Sequence, residues 1–303
     1  MQSCRDQVSY KIKLPSEPSP VAVSGVEPAC LVAAFYKFVA IDDTTALRDD
    51  LRKFCAARPI KGTILVAHEG INATVSGVES DVRALIEILN ADPRFSNLAV
   101  KFSVAGSHPF RRLKVKIKRE IVTLGLEETR LSAPTAHAVE PEDWNALISD
   151  PDVLVVDTRN DYEVEVGSFE GACNPRTRAF REFPDFVARQ LADNRQKKIA
   201  MFCTGGIRCE KASAYLKSEG FEHVYQLSGG ILRYLERVAP TDSMWRGECF
   251  VFDERVALEH GVRQGHHGLC QRCGHPVMLR DEERDATLCA SCRDGSATPS
   301  VAT

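Results

Sequence analysis

Residues 199–211 read "IAMFCTGGIRCEK". The apolar run predicts a buried strand, and "CEKASAYLKSEG" predicts a helix beginning near Cys209. Between them a cysteine stands at the head of a Gly-Gly turn. In an open α/β sheet, chemistry gathers beyond the carboxyl ends of the strands, where the following helices present their N-termini. Cys203 occupies that place. The backbone N–H groups of Thr204, Gly205, Gly206, Ile207 and Arg208 can turn inward as an anion-binding nest, and the glycines permit the angles this needs. Such a field, with Arg208 beside it, lowers the thiol pKa and favours thiolate. A lone Cys near Gly reads as a buried structural residue, because free Cys is among the most buried residue types. The combination of strand, Cys, Gly-Gly, Arg and helix favours a nucleophile instead. Arg208 either contacts an anion or substrate or staples the loop by bonding carbonyls. Cys209 either resolves an oxidised Cys203 or is a buried helix residue.

Around this stretch, strands alternate with helices. "DVLVVDTR" is a β-branched run of the kind buried on both faces of a parallel sheet. "EDWNALI", "FPDFVARQLADN" and "ILRYLERV" read as helices, and "HVYQLSGG" as a strand. The pattern predicts a doubly wound α/β domain over residues 141–243. Asp157 and Arg159 end the β-branched strand and are read as braces for the loop. Glu163 is either a surface residue or an ion-pair partner of Arg159, and Cys173 is read as structural.

The N-terminal half has a different order. "CLVAAFYKFVAI" reads as a strand and "TTALRDDLRKFCAA" as an amphipathic helix, and "KGTILVAHEGINATVSG" gives two strands about a turn. "VESDVRALIEILNAD" is a second helix, and "LAVKFSVA" and "RRLKVKIKREIVTL" finish as strands. The order β-α-β-β-α-β predicts a ferredoxin-like, acylphosphatase-like sandwich over residues 29–122. Residues 1–28 read as a disordered leader, 123–140 as a linker, and 244–303 as a C-terminal extension. The fold class is thus α/β with α+β.

The net charge of −3 excludes a polycation made to coat nucleic acid. Yet Pro93–Arg119 holds eight basic residues and no acidic one. In "RRLKVKIKR", Leu113, Val115 and Ile117 alternate with Arg112, Lys114, Lys116 and Lys118, which places cations on one strand face and apolar side chains on the other. Arg111, Arg112, Lys114, Lys116 and Lys118 are the RNA-binding candidates, set against an ordinary solvated strand face. Phe110, Phe180 and Phe183 can stack a base or pack a core. No run approaches a transmembrane length. Eleven cysteines without a secretory signal imply a reducing cytoplasm, where thiols serve metals or chemistry.

"CTGGIRCEKA" resembles the active-site loop of a rhodanese domain, and "VVDTRNDYEVEVGSFEGACNP" resembles that family's upstream motif. Cys203 and Arg208 enclose four residues, as in sulfurtransferases, one fewer than in dual-specificity phosphatases on this fold. "GTILVAHEGINATVSG", "RRLKVKIKREIVTLG", "CTGGIRCEKASAYL", "GGILRYLE" and "GECFVFDERVAL" occur in the order found in the oxygen-dependent tRNA uridine(34) hydroxylases. With the paired cysteines, this resemblance runs from about Cys30 to Cys292. It implies tRNA as partner, molecular oxygen as co-substrate, and conversion of the wobble uridine to 5-hydroxyuridine. It also implies Cys203 as the catalytic cysteine, by analogy a persulfide former. A thiolate adding to carbon 6 of uracil makes carbon 5 electron-rich, a role open to Cys203. No flavin, haem or nucleotide-cofactor signature stands out. A sulfurtransferase served by a sulfur-donor protein is the second reading, and a non-catalytic RNA-binding adaptor the third. Oligomeric state has no sequence signal.

"CQRC" and "CASC" place Cys270, Cys273, Cys289 and Cys292 at the C-x₂-C-x₁₅-C-x₂-C spacing of a tetrahedral S₄ zinc site. Four thiolates leave no open position for water, so the expected role is structural, a zinc-knuckle-like tail. His266, His267 and His275 are alternative ligands, or are solvated or face RNA.

Overall fold

The computed structural model describes residues 29–126, 136–279 and 288–295. The leader at 1–28, residues 127–135 of the linker, and residues 280–287 and 296–303 of the extension lie outside the described residues. The chain divides into two compact units, Met1–Ile121 and Val122–Thr303.

The first unit contains β1 (Cys30–Phe38), α1 (Thr44–Ala56), β2 (Lys61–Ala67), β3 (Gly70–Gly77), α2 (Glu79–Ala91), β4 (Val100–Ala105) and β5 (Leu113–Ile117). Its sheet order is β4-β1-β3-β2-β5. The first four strands are antiparallel in the ferredoxin-like arrangement, and β5 joins the β2 edge in parallel. The amphipathic helices form as their spacing predicts. Leu47, Leu51 and Phe54 of α1, and Val82, Leu85, Ile86 and Leu89 of α2, are buried in one core with the inward residues of β1, β2 and β3. The strand expected to run through "RRLKVKIKREIVTL" is shorter, ending at Ile117. Its alternation also fails at that residue: Leu113 and Val115 pack on the core, whereas Ile117 is 40% exposed at the sheet edge.

The second unit is built on a parallel sheet of order β6-β10-β9-β7. Its elements are β6 (His137–Val139), α3 (Pro141–Ile148), β7 (Val153–Asp157), α4 (Asp161–Val164), β8 (Gly167–Phe169), α5 (Phe183–Phe186), β9 (Lys198–Phe202), α6 (Ile207–Ser218), β10 (Val224–Leu227) and α7 (Gly230–Arg237). Successive strand residues point to opposite faces. Ile199, Met201 and Cys203 accordingly join one core with α5 and α6. Ala200 and Phe202 join another with Trp144, Tyr234 and Trp245. This burial on both faces is the doubly wound arrangement.

Two helical readings need correction. α6 begins at Ile207, two residues before the expected start, because Gly206 turns the chain through a left-handed conformation, φ 100°. The helix expected over "FPDFVARQLADN" is not uniform. α5 widens into a π-type turn at Val187–Leu191 and tightens again at Ala192–Asn194.

Past Met244 the described residues keep short regular elements. β11 (Trp245–Gly247) pairs antiparallel with β8, β12 (Cys249–Phe250), β13 (Ala257–Glu259) and β14 (Arg263–Gln264) form a small sheet, and β15 (His267–Leu269) pairs with β16 (Pro276–Met278) before α8 (Ala290–Arg293). Strands of two or three residues are too short to carry a readable period.

Candidate active site

Cys203 lies at the carboxyl end of β9, under the N-terminus of α6, and is 0% exposed. Its sulfur accepts a hydrogen bond from the Gly206 N–H at 3.1 Å. The N–H groups of Arg208 and Cys209 and the Cys209 thiol also bond to it. Of the five amides expected in the nest, those of Gly206 and Arg208 reach the sulfur; the Cys209 amide, not foreseen, joins them. Burial pushes the Cys203 thiol up, but these donors and the Arg208 charge outweigh it, bringing the pKa down to about 5. Cys209 moves the opposite way: burial and its bond to the Cys203 sulfur hold its thiol well above the ordinary range. Its Sγ lies 3.7 Å from the Thr158 hydroxyl.

The loop is held from behind by α7. The N–H groups of Ile231 and Leu232 donate to the carbonyls of Cys203 and Thr204 at 3.0 and 3.1 Å. Gly230, φ +68°, approaches so closely that a Cβ there would stand 2.5 Å from the Cys203 carbonyl oxygen and 2.8 Å from the Gly206 nitrogen. Thr204, Gly205 and Ile207 are half-buried, and a Cβ at Gly205 would meet nothing within 4 Å, so the loop faces open space there.

Arg208 does not point into that space. Its guanidinium makes a two-pronged pair with Glu163 at 2.6 and 2.8 Å, and also donates to the Thr204 hydroxyl at 3.3 Å. Glu163 is 0% exposed, which corrects the surface alternative, and its side chain faces Arg208. Burial pushes its carboxyl up, but the Arg208 charge and hydrogen bonds bring it below the ordinary value. Asp157 and Arg159 form a fully buried pair. Arg159 also donates to the carbonyls of Glu163 and Gly167, tying β7, α4 and β8 together. The capacity of Glu163 to hold Arg208 had no local signal, because the two are 45 residues apart. Cys249, also buried, has its thiol pushed up to about 12 by burial, with Arg159 and Cys203 among its neighbours. Cys173 is half-buried, and its backbone bridges to β7. Phe180 and Phe183 are core residues.

Arg111, Arg112, Lys114, Lys116 and Lys118 belong to the first unit, where Lys114 is half-buried and the other four exposed. Arg112, Lys114 and Lys116, with Arg52 of α1, line an open groove of about 400 Å³.

The sulfurs of Cys270, Cys273, Cys289 and Cys292 lie within 4.8 Å of one another. Zn–S bonds of ~2.3 Å in a tetrahedron separate sulfurs by ~3.8 Å, so the donor set and its spacing fit zinc. The three histidines are engaged elsewhere. His266 and His267 bond the Glu248 carboxylate through Nδ1 at 3.2 and 2.7 Å, and His275 Nε2 meets Glu165 at 2.7 Å. Among the described residues no helix is long and apolar enough to cross a membrane.

Residues 30–121 match the UPF0176 acylphosphatase like domain, and residues 140–237 the rhodanese-like domain. A protein of Picosynechococcus sp. named tRNA uridine(34) hydroxylase is 51% identical over 252 residues, covering 83% of this chain and 85% of that protein. One of the same name from Teredinibacter turnerae is 52% identical, covering 87% and 84%. The chain belongs to the tRNA uridine(34) hydroxylase family. A third member of the tRNA uridine(34) hydroxylase family, from Sinorhizobium medicae, is 48% identical over 87% of this chain and 85% of its own length.

Proposed function

We propose that this protein hydroxylates carbon 5 of the wobble uridine in tRNA, using molecular oxygen, with Cys203 as its nucleophile. The sulfur's surroundings carry the reading: three amides, a neighbouring guanidinium and a helix N-terminus all favour thiolate at neutral pH. Addition of that thiolate to carbon 6 makes carbon 5 electron-rich. Because Cys203 is 0% exposed, the base reaches it only when the loop around it yields, and Gly205, beside which a Cβ would meet nothing within 4 Å, is the open point of that loop. Arg208, through Glu163 and Thr204, positions the loop, and the Asp157–Arg159 pair braces it. Arg111, Arg112, Lys114, Lys116 and Lys118 contact tRNA phosphates. One structural zinc is held by Cys270, Cys273, Cys289 and Cys292, and the free thiols fit a reducing cytoplasm. Nucleoside mass spectrometry of tRNA incubated with purified protein tests the reaction: 5-hydroxyuridine is expected with wild type and none with Cys203→Ser. Full activity in that variant removes the nucleophile assignment.

The enclosed sulfur also favours a second reading, a persulfide carrier loaded by a donor protein, since a small sulfane group fits a tight loop. Thiocyanate formation from thiosulfate and cyanide that exceeds tRNA hydroxylation would give that reading precedence.

A further inference from the structure

Inserting one atom of molecular oxygen into a C–H bond leaves the other at the level of water, and the difference is two electrons and two protons. The uracil ring does not provide them. A pair of thiols does, by closing to a disulfide. Among the described residues, Cys209 stands in the first turn of α6, whose N-terminus covers Cys203, and the two side chains share one buried core. Both are 0% exposed, and Thr158 holds them together: its hydroxyl contacts the Cys209 Sγ and donates to the carbonyl of Phe202, the residue before Cys203. A buried hydrophobe would fill the first turn of α6 equally well, yet a redox-capable atom stands there.

We propose that Cys203 and Cys209 form a catalytic dithiol that supplies the two electrons of each hydroxylation and closes to a disulfide. This deepens the hydroxylase reading and rests on it. Cys203–SH adds across C5=C6. Oxygen enters a C5–H bond to give a C5 hydroperoxide. The Cys209 thiol then breaks the O–O bond, taking one oxygen as sulfenic acid and leaving the hydroxyl on C5. Elimination releases Cys203 and 5-hydroxyuridine. The Cys203 thiol condenses with the Cys209 sulfenic acid, an S–S bond forms, and water leaves. An external dithiol, small molecule or protein, reduces the pair for the next turnover.

The reduced full-length protein, freed of reductant, is mixed with tRNA bearing unmodified uridine 34 in oxygenated buffer. It is then acid-quenched, alkylated and mapped by mass spectrometry. The expected result is 5-hydroxyuridine rising to one per active site, matched one-for-one by the Cys203–Cys209 disulfide. Cys173 and Cys249 should remain alkylated, and turnover should resume on adding dithiothreitol. Cys209→Ser should still bind tRNA but lose multiple turnover, with product no longer coupled to a disulfide. If that variant does not fold, the wild-type stoichiometry still decides. Product beyond one per site with both thiols alkylated overturns the dithiol and leaves the hydroxylase reading standing. No 5-hydroxyuridine from wild type, even with dithiothreitol, overturns both.

Discussion

Burying a sulfur and ionising it are opposed demands, and the two cysteines of this loop resolve the opposition in opposite directions. Desolvation acts on both, but the amides of residues 206, 208 and 209 and the Arg208 charge converge on Cys203 alone strongly enough to reverse it. With a folded pKa of about 5 against an ordinary 9.0, the unfolded thiol binds more protons between these limits. Stability from this group is therefore complete above pH 9, declines toward pH 5, and is absent below it. Urea denaturation across that window should show stability rising with pH in wild type and a flatter line in Cys203→Ser. The Glu163 carboxyl, lowered too, acts in a separate window below pH 4.5. Glu163→Gln strands the buried Arg208 guanidinium and should cost ~3–5 kcal/mol with loss of activity. The double replacement Glu163→Leu/Arg208→Met should recover most of the stability but not the activity. Recovery of both would mean that the pair serves folding alone.

At the scale of elements, the strand β9 and the turn after it were legible because several local signals agree: a short apolar run, a Gly-Gly pair and a following helical segment. The sheet's two-sided burial was legible in the β-branched run of β7 for the same reason. What escaped reading depends on distant contacts. Ile117 follows the period of its strand yet is exposed, because β5 is an edge strand and its last residue has little to pack against. Glu163 met Arg208 only through the fold. The part of α7 was equally hidden, since "GGILRYLE" shows two glycines but not what they approach. Gly230→Ala forces a Cβ against the Cys203 carbonyl in a conformation that L side chains rarely adopt. It should destabilise by ~1–3 kcal/mol in thermal or urea melts and shift the Cys203 thiolate titration, read at 240 nm. A shift in stability alone would assign Gly230 to packing. Along β5, replacing Lys114 and Lys116 by Gln should weaken tRNA binding uniformly across sequences. It should also lower the slope of log affinity against log salt by ~0.7–0.9 per lost contact, measured by filter binding. An unchanged slope would leave the groove an ordinary solvated face.

At the scale of the second unit, the C-terminal extension raises a question of folding energy. Residues 266–279 and 288–295 contribute two short paired strands and one helical turn, and the buried residues of their cluster are Cys270, Cys289 and Cys292. So small an apolar set cannot offset the entropy of ordering the segment, and four thiolates on one metal ion can. The extension is also tied to the rhodanese-like part by a polar link, His275 to Glu165, one residue past α4, while His266 and His267 hold Glu248 within the extension itself. Through α4 the link reaches Glu163 and Arg208. Purified protein should carry one zinc per chain by elemental analysis. Removing it with a strong chelator, or substituting Cys270→Ser, should open residues 266–279 and 288–295 to protease while the sheet β6-β10-β9-β7 stays resistant. His275→Ala should keep the zinc but loosen the contact at α4, giving intermediate protease sensitivity without metal loss. Should the metal-free chain resist cleavage as well as the loaded one, zinc is not what folds the extension. Its order would then have to come from the carboxylate–histidine links, which Glu248→Gln and Glu165→Gln together would expose.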